Sequence, residues 1–101
     1  MQSQKMIYID QMQVGMLTAE QLRAARALLH MEQRRLAEIS GVSIPTLRRL
    51  EGSEGPLRAN HENIVRLTNA LQAAGVVFIA AGGGRGVGVQ LATDLLKAAQ
   101  V

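Results

Sequence analysis

The stretch QRRLAEISGVSIPTLRRLE, from Gln33 to Glu51, decides the reading of this 101-residue chain. Gly41 stands at its centre. Glycine takes left-handed backbone angles without a Cβ penalty, so a helix begun near Gln33 stops at Ser40. Leu36, Ala37 and Ile39 are the side chains that helix is expected to bury. Ser43 then offers an N-cap oxygen to a second helix, Ile44 to about Glu51. Pro45 would break a helix interior, but in the first turn its missing N–H costs little, because those donors have no intrahelical acceptor. Leu47 and Leu50, three apart, are the inward pair. The reading is two short helices joined by Gly41-Val42-Ser43. Ala37 is small enough to let them cross closely, apolar residues at 36, 42, 47 and 50 lock them, and one face of the second helix stays free.

The flanks add helices on both sides. Thr18-Ala-Glu-Gln21 reads as a capping box that opens a helix with Leu22, Ala25 and Leu29 as its stripe. Leu28 widens that stripe, and Arg23 and Arg26 fall outside it. Residues 1–16 are irregular, with Met6-Ile7-Tyr8-Ile9 as a candidate strand and Met16 as an alternative start; they are read as an N-terminal extension. After Glu51, Gly52-Ser-Glu-Gly55-Pro56 carries every turn signal. Asn60 caps a further helix to about Ala74, striped by Ile64, Leu67, Leu71 and Ala74, and Gly75 ends it. Residues 17–75 thus form one helical domain.

The tail changes period. Val76-Val77-Phe78-Ile79-Ala80 is β-branched and aromatic, Gly82-Gly83-Gly84-Arg85-Gly86 is a turn, and Val87-Gly-Val-Gln-Leu91 returns, which is the pattern of a β-hairpin. Thr93 is placed to cap a short helix from Asp94 to Ala99. An isolated two-stranded hairpin is marginal and leaves open edges, so residues 76–101 are expected to dimerise the chain by pairing strands across a two-fold axis.

Composition narrows the class. Apolar residues make up 48% of the chain, which argues against disorder, and the length allows one modest core. Only Tyr8 and Phe78 are aromatic, so Leu, Ile, Val, Ala and Met must fill that core. The absence of cysteine excludes disulfides and thiolate sites and suits a reducing cytosol. The longest apolar run, Gly75 to Gly84, is far short of a membrane span, and the N-terminus lacks the order of a secretory signal. Between Arg23 and Arg58 lie seven arginines against four glutamates, which is the whole net charge of +3. Taken by itself that charge is best read as a solvated helical surface with pairs such as Glu38 with Arg34 and Arg35. The helix pattern reverses this preference, because a tight helix pair with arginines on its free face is a helix-turn-helix.

The residues from Gln33 to Glu51 resemble the Xre/Cro type of helix-turn-helix transcriptional regulators: Gln33, Leu36-Ala37, Gly41-Val42-Ser43, an aliphatic residue and then Glu51. The likeness extends over about residues 18–92, to small bacterial members in which Gly-Pro-Leu follows the motif and a helix leads into Gly-Val-x-Phe-Ile and a glycine turn. It implies a mainly α, lambda-repressor-like helix-turn-helix domain with a C-terminal β-hairpin. Two departures stand out. Glu32 occupies the place where the family sets Ser or Thr to cap the second helix. The hairpin replaces the fifth helix of the phage-type domain, whose dimer interface is therefore not carried over.

By this resemblance Gln33 touches the DNA backbone and braces a base contact. Ile44, Pro45, Thr46 and Arg49 match the exposed positions of the recognition helix, with Ser43 at its cap. Ile44 and Pro45 offer apolar contact to a thymine methyl, and Arg49 is the expected reader of guanine O6 and N7. Arg48 is expected on a phosphate, as are Arg34, Arg35 and Arg58. Each arginine has the plainer alternative of a solvated surface charge, and Glu51 reads as a structural partner within the domain.

Other chemistries fail on spacing. From Gly82 or Gly84 the third glycine of G-x-G-x-x-G falls on Val87 or Val89, and a Walker loop from Gly83 meets Val89 where Lys is required. His30 and His61 stand alone, no carboxylate or histidine cluster has metal spacing, and no serine carries a triad signature. The expectation is therefore a cytoplasmic regulator, not an enzyme, without metal or cofactor. It would bind double-stranded DNA as a homodimer, most simply as a repressor, and be nucleoid-associated when bound. Two rivals stay open: the DNA-binding antitoxin of a toxin–antitoxin pair, and a protein-interaction module that kept the fold and lost DNA binding. Glu32 leans toward the latter.

Overall fold

A computed structural model gives the fold of residues 17–92. In chain order it consists of α1 (Ala19–Leu29), α2 (Gln33–Ser40), α3 (Ile44–Glu51), α4 (His61–Ala73), β1 (Val76–Ile79) and β2 (Gly88–Leu91). The expected strand at Met6–Ile9 and the helix after Thr93 lie outside the described residues.

Local capping sets the helix starts. The Gln21 amide N–H donates to Thr18 Oγ1 at 3.1 Å while Thr18 N–H donates back to Gln21 Oε1 at 3.0 Å, a complete capping box. Ser43 Oγ accepts from Thr46 N–H at 3.3 Å to open α3, and Asn60 Oδ1 accepts from Asn63 N–H at 2.8 Å to open α4. Glu32 is the N-cap of α2 and its side chain makes no capping bond. At the other end of α2, Gly41 has φ 78° and its N–H closes on Ala37 O at 2.9 Å. His30 ends α1 in the left-handed region, at φ 54°, so this lone histidine serves as a helix terminus.

The core lies where α1, α2, α3 and α4 converge, with the hairpin packed on α1 and α4. Leu17, Leu22, Leu36, Leu47, Leu50, Leu67, Leu71 and Val76 are essentially inaccessible, and Phe78 is the largest side chain among them. Burial of side chains of this size stabilises the fold by about 1.5–3 kcal/mol each relative to exposure. Two expected core residues are not there: Leu28 and Ile39 are each 37% exposed. At 100° per residue the buried arc of α2 runs through Leu36, Ser40, Gln33 and Ala37, and Ile39 falls outside it. On α1 the arc runs from Ala19 to Gln21, and Leu28 projects just beyond its Gln21 edge. Leu29 is only half-buried, and Ala74 is the C-cap of α4 rather than part of its stripe.

β1 and β2 pair antiparallel in the register Val76↔Leu91, Val77↔Gln90, Phe78↔Val89 and Ile79↔Gly88. Each strand is one residue shorter at the turn than its composition predicts. Beyond the ladder the chain reverses at a separate bridge: Gly82 and Arg85 exchange N–H···O bonds of 2.9 and 3.0 Å around Gly83 and Gly84, both at positive φ. That geometry demands glycine and accounts for the cluster. Gln21 docks the hairpin on α1, its Nε2 donating to Ile79 O at 3.2 Å and Gly88 O at 3.0 Å. The loop after α3 is likewise stitched to the start of α1, Leu57 N–H to Leu17 O at 3.0 Å and Ala19 N–H to Gly55 O at 2.9 Å.

Candidate nucleic-acid interface

α3 buries Leu47, Leu50 and Glu51 and turns Pro45, Arg48 and Arg49 to solvent. The spacing of 3 and 4 puts those three on one face, on the side away from the leucines. Ile44 and Thr46 flank that face and are half-buried, while Ser43 is exposed at its N-terminal end. Ser43 Oγ donates to Thr46 Oγ1 at 3.0 Å, which leaves the Thr46 hydroxyl hydrogen free to donate outward.

A polar anchor holds the other side. Glu51 is buried, and Arg26 from α1 grips it with two bonds, Nε to Oε2 at 2.6 Å and Nη2 to Oε1 at 2.7 Å. This bidentate pairing raises the Arg26 guanidinium above its ordinary range, against the opposing effect of burial. Arg26 Nη1 also reaches Met31 O at 2.7 Å, in the turn before α2. Gln33, half-buried in the first turn of α2, donates Nε2 to Glu51 Oε1 at 3.0 Å. Arg23 donates to the carbonyls of Glu51 and Ser53 and so satisfies acceptors left open where α3 ends. One carboxylate thus ties α1, α2 and α3 together.

The anchor divides the arginines into two groups. Arg26 is consumed by Glu51, Arg35 contacts Glu38 at 3.3 Å, and Arg23 approaches Glu20 at 4.0 Å. Among the described residues Arg34, Arg48, Arg49 and Arg58 are exposed and have no carboxylate at ion-pair distance. Arg49 Nη1 donates to Arg58 O at 3.2 Å, so α3 and the segment beyond the loop are brought side by side. Arg34 and Arg35 stand on the outer face of α2, and no hydrogen bond among the described residues joins them to the α3 group. Gln33 is engaged inward by one N–H and keeps its second N–H and its carbonyl oxygen for other partners.

Arg23, Arg26 and the docking role of Gln21 are missed by sequence reasoning. Gln21 was legible only as a capping residue, because its two hairpin partners lie 58 and 67 positions away. A glutamate in the last turn of α3, on the side of Leu47 and Leu50, is the one signal that a buried cation must be sought.

Among the described residues no helix is long and apolar enough to cross a membrane. Compared with known proteins, the chain matches no family model and no curated protein.

Proposed function

We propose that α2, Gly41-Val42-Ser43 and α3 act as a helix-turn-helix, and that the chain is a sequence-specific DNA-binding transcriptional regulator. In this reading α3 enters the major groove, the chain binds as a dimer, and occupation of an operator represses. The observation that carries it is the two-sided character of α3. Leu47, Leu50 and Glu51 fix one side, while Pro45, Arg48 and Arg49 face solvent on the other without carboxylate partners, Arg49 bonded to the Arg58 carbonyl. A planar, unneutralised guanidinium on a rigid helix is suited to guanine edges and phosphates.

The roles follow from position. Arg49 reads guanine, Pro45 and Ile44 meet a thymine methyl, and Ser43 and Thr46 offer hydroxyls at the helix start. Arg48 and Arg58 neutralise phosphate, joined by Arg34 and Arg35 where the duplex reaches α2. Gln33 contacts the backbone with the groups that Glu51 leaves free. One short helix reads only a few base pairs, so two half-sites about one helical turn apart supply the rest.

One observation favours a protein-interaction module instead. Glu32 makes no capping bond and sets an exposed carboxylate at the start of α2, where a phosphate would otherwise be welcome. Selection of bound fragments from random duplex DNA separates the two. The regulator reading expects a two-fold-symmetric motif, and a pool with no enriched motif overturns it in favour of a protein partner.

A further inference from the structure

The hairpin has a free edge whose phase can be worked out. Ala92 N–H donates to Gly75 O at 2.7 Å, in continuation of the ladder. Antiparallel pairs alternate between bonded and unbonded, so Val77↔Gln90 and Ile79↔Gly88 are the bonded pairs. Val89 and Leu91 therefore turn their N–H and C=O groups outward, and these groups find no backbone partner among the described residues. Edges of this kind are commonly protected by charge, proline or a bulge. Here the sequence from Val76 to Ala92 holds a single charge, Arg85 in the turn, and no proline.

The side chains along that edge are unprotected as well. Val87 is 39% exposed and Leu91 is 38% exposed, two of the four large apolar side chains left exposed among the described residues. The side chains of β1 differ: Val76 and Phe78 are sunk in the core, although both strands pack against a helix, β1 on α4 and β2 on α1.

We propose that the outer edge of β2 pairs antiparallel with the β2 edge of a second copy of this chain, across a two-fold axis through Val89. This register bonds Val89 to its own counterpart and sets Leu91 of each copy opposite Val87 of the other. The exposed apolar side chains then cover one another, and a four-stranded sheet β1-β2-β2-β1 results. A second copy fits better than a charged strand because the edge is self-complementary and neutral. The two Arg85 side chains end up at opposite ends of the new sheet, eight strand positions and thus roughly 25 Å apart, well beyond the ~10 Å screening length at 0.1 M salt. The inference does not need the DNA-binding reading, though it supplies the two-fold axis which that reading uses.

The test uses the full chain in sedimentation equilibrium, with the helical circular dichroism signal as the control for folding. The wild type is expected at about twice its 10.9 kDa monomer mass, V87K/L91K at the monomer mass, and V87K/L91E restored to the dimer. In that last variant the lysine at 87 faces the glutamate at 91 of the other copy. A monomeric wild type overturns the proposal, as does a folded V87K/L91K that stays dimeric or a folded V87K/L91E that stays monomeric. Amide exchange of the wild type gives an independent readout. The Val89 and Leu91 amides are expected to exchange faster on dilution, and rates independent of concentration overturn the pairing. A dimer that binds no DNA leaves this inference standing and removes the regulator reading; a monomer that still selects a DNA motif does the reverse.

Discussion

Glu51, the last residue of α3, accepts both Nε and Nη2 of Arg26 from α1, at 2.6 and 2.7 Å, with its side chain only 6% exposed. A buried carboxylate held this way is costly to orphan. Arg26→Met should destabilise the fold by about 3–5 kcal/mol, because it leaves the buried Glu51 carboxylate without its counter-charge, and Glu51→Met by less, because Arg26 is 22% exposed and keeps its bond to Met31 O. The double variant R26M/E51M should recover a large part of that loss. Urea denaturation of the three variants measures it, and additive losses would show that the pair does not act as a unit.

Gln21 carries a second structural function beside its cap. Q21E keeps the acceptor for Thr18 N–H but sets a carboxylate against the carbonyls of Ile79 and Gly88. The expected loss is about 1–3 kcal/mol, the cost of the two Nε2 hydrogen bonds lost where Gln21 meets the hairpin. Hydrogen exchange localises it: amides of β1 and β2 should lose protection while those of α2 and α3 keep theirs. Equal loss everywhere contradicts a docking role.

The acid sensitivity of the loop–helix junction follows from Glu20. Its own N–H, and that of Gly55 at 3.1 Å from Oε1 and 3.3 Å from Oε2, hold its carboxyl below the ordinary value of 4.5. A carboxylate with a depressed value in the folded state stabilises above the unfolded value, and that contribution is lost as pH falls through the folded value. The wild type should therefore exceed E20Q in stability at pH 7, with the gap closing as pH drops below 4.5. A gap independent of pH over that range contradicts the assignment.

What the sequence made legible was local. Thr18, Ser43, Asn60 and Gly41 act within three or four residues of themselves, so the helix boundaries could be placed from residue chemistry alone. The hairpin was likewise marked by β-branched runs on either side of glycines whose positive φ a tight turn requires. That Glu51 is a partner within the domain was legible, but its partners were not, because Arg26 and Glu51 lie 25 positions apart and Gln33 and Glu51 lie 18 apart. Nothing local distinguishes Arg26, a half-buried structural cation, from Arg48, an exposed one. Ile39 and Leu28 were misplaced for a related reason: a stripe fixes which side of a helix is apolar, while its neighbours fix how wide an arc they cover. For the candidate interface, α3 and its arginines could be named from the sequence. The division of the arginines into paired and unpaired ones needed the fold.

The central claim concerns the free face of α3, and one measurement bears on it most directly. Wild type, Arg49→Ala and Arg48→Ala are titrated over a salt series onto the duplex that selection enriches and onto variants of it. The account predicts that Arg49→Ala loses preference at one base per half-site, by about 1–3 kcal/mol, and keeps the wild-type salt slope. Arg48→Ala should weaken every duplex equally and lower the slope by about one per subunit. If instead wild type binds all duplexes alike and both variants change only the slope, these arginines form an electrostatic patch and the claim that α3 reads sequence is wrong.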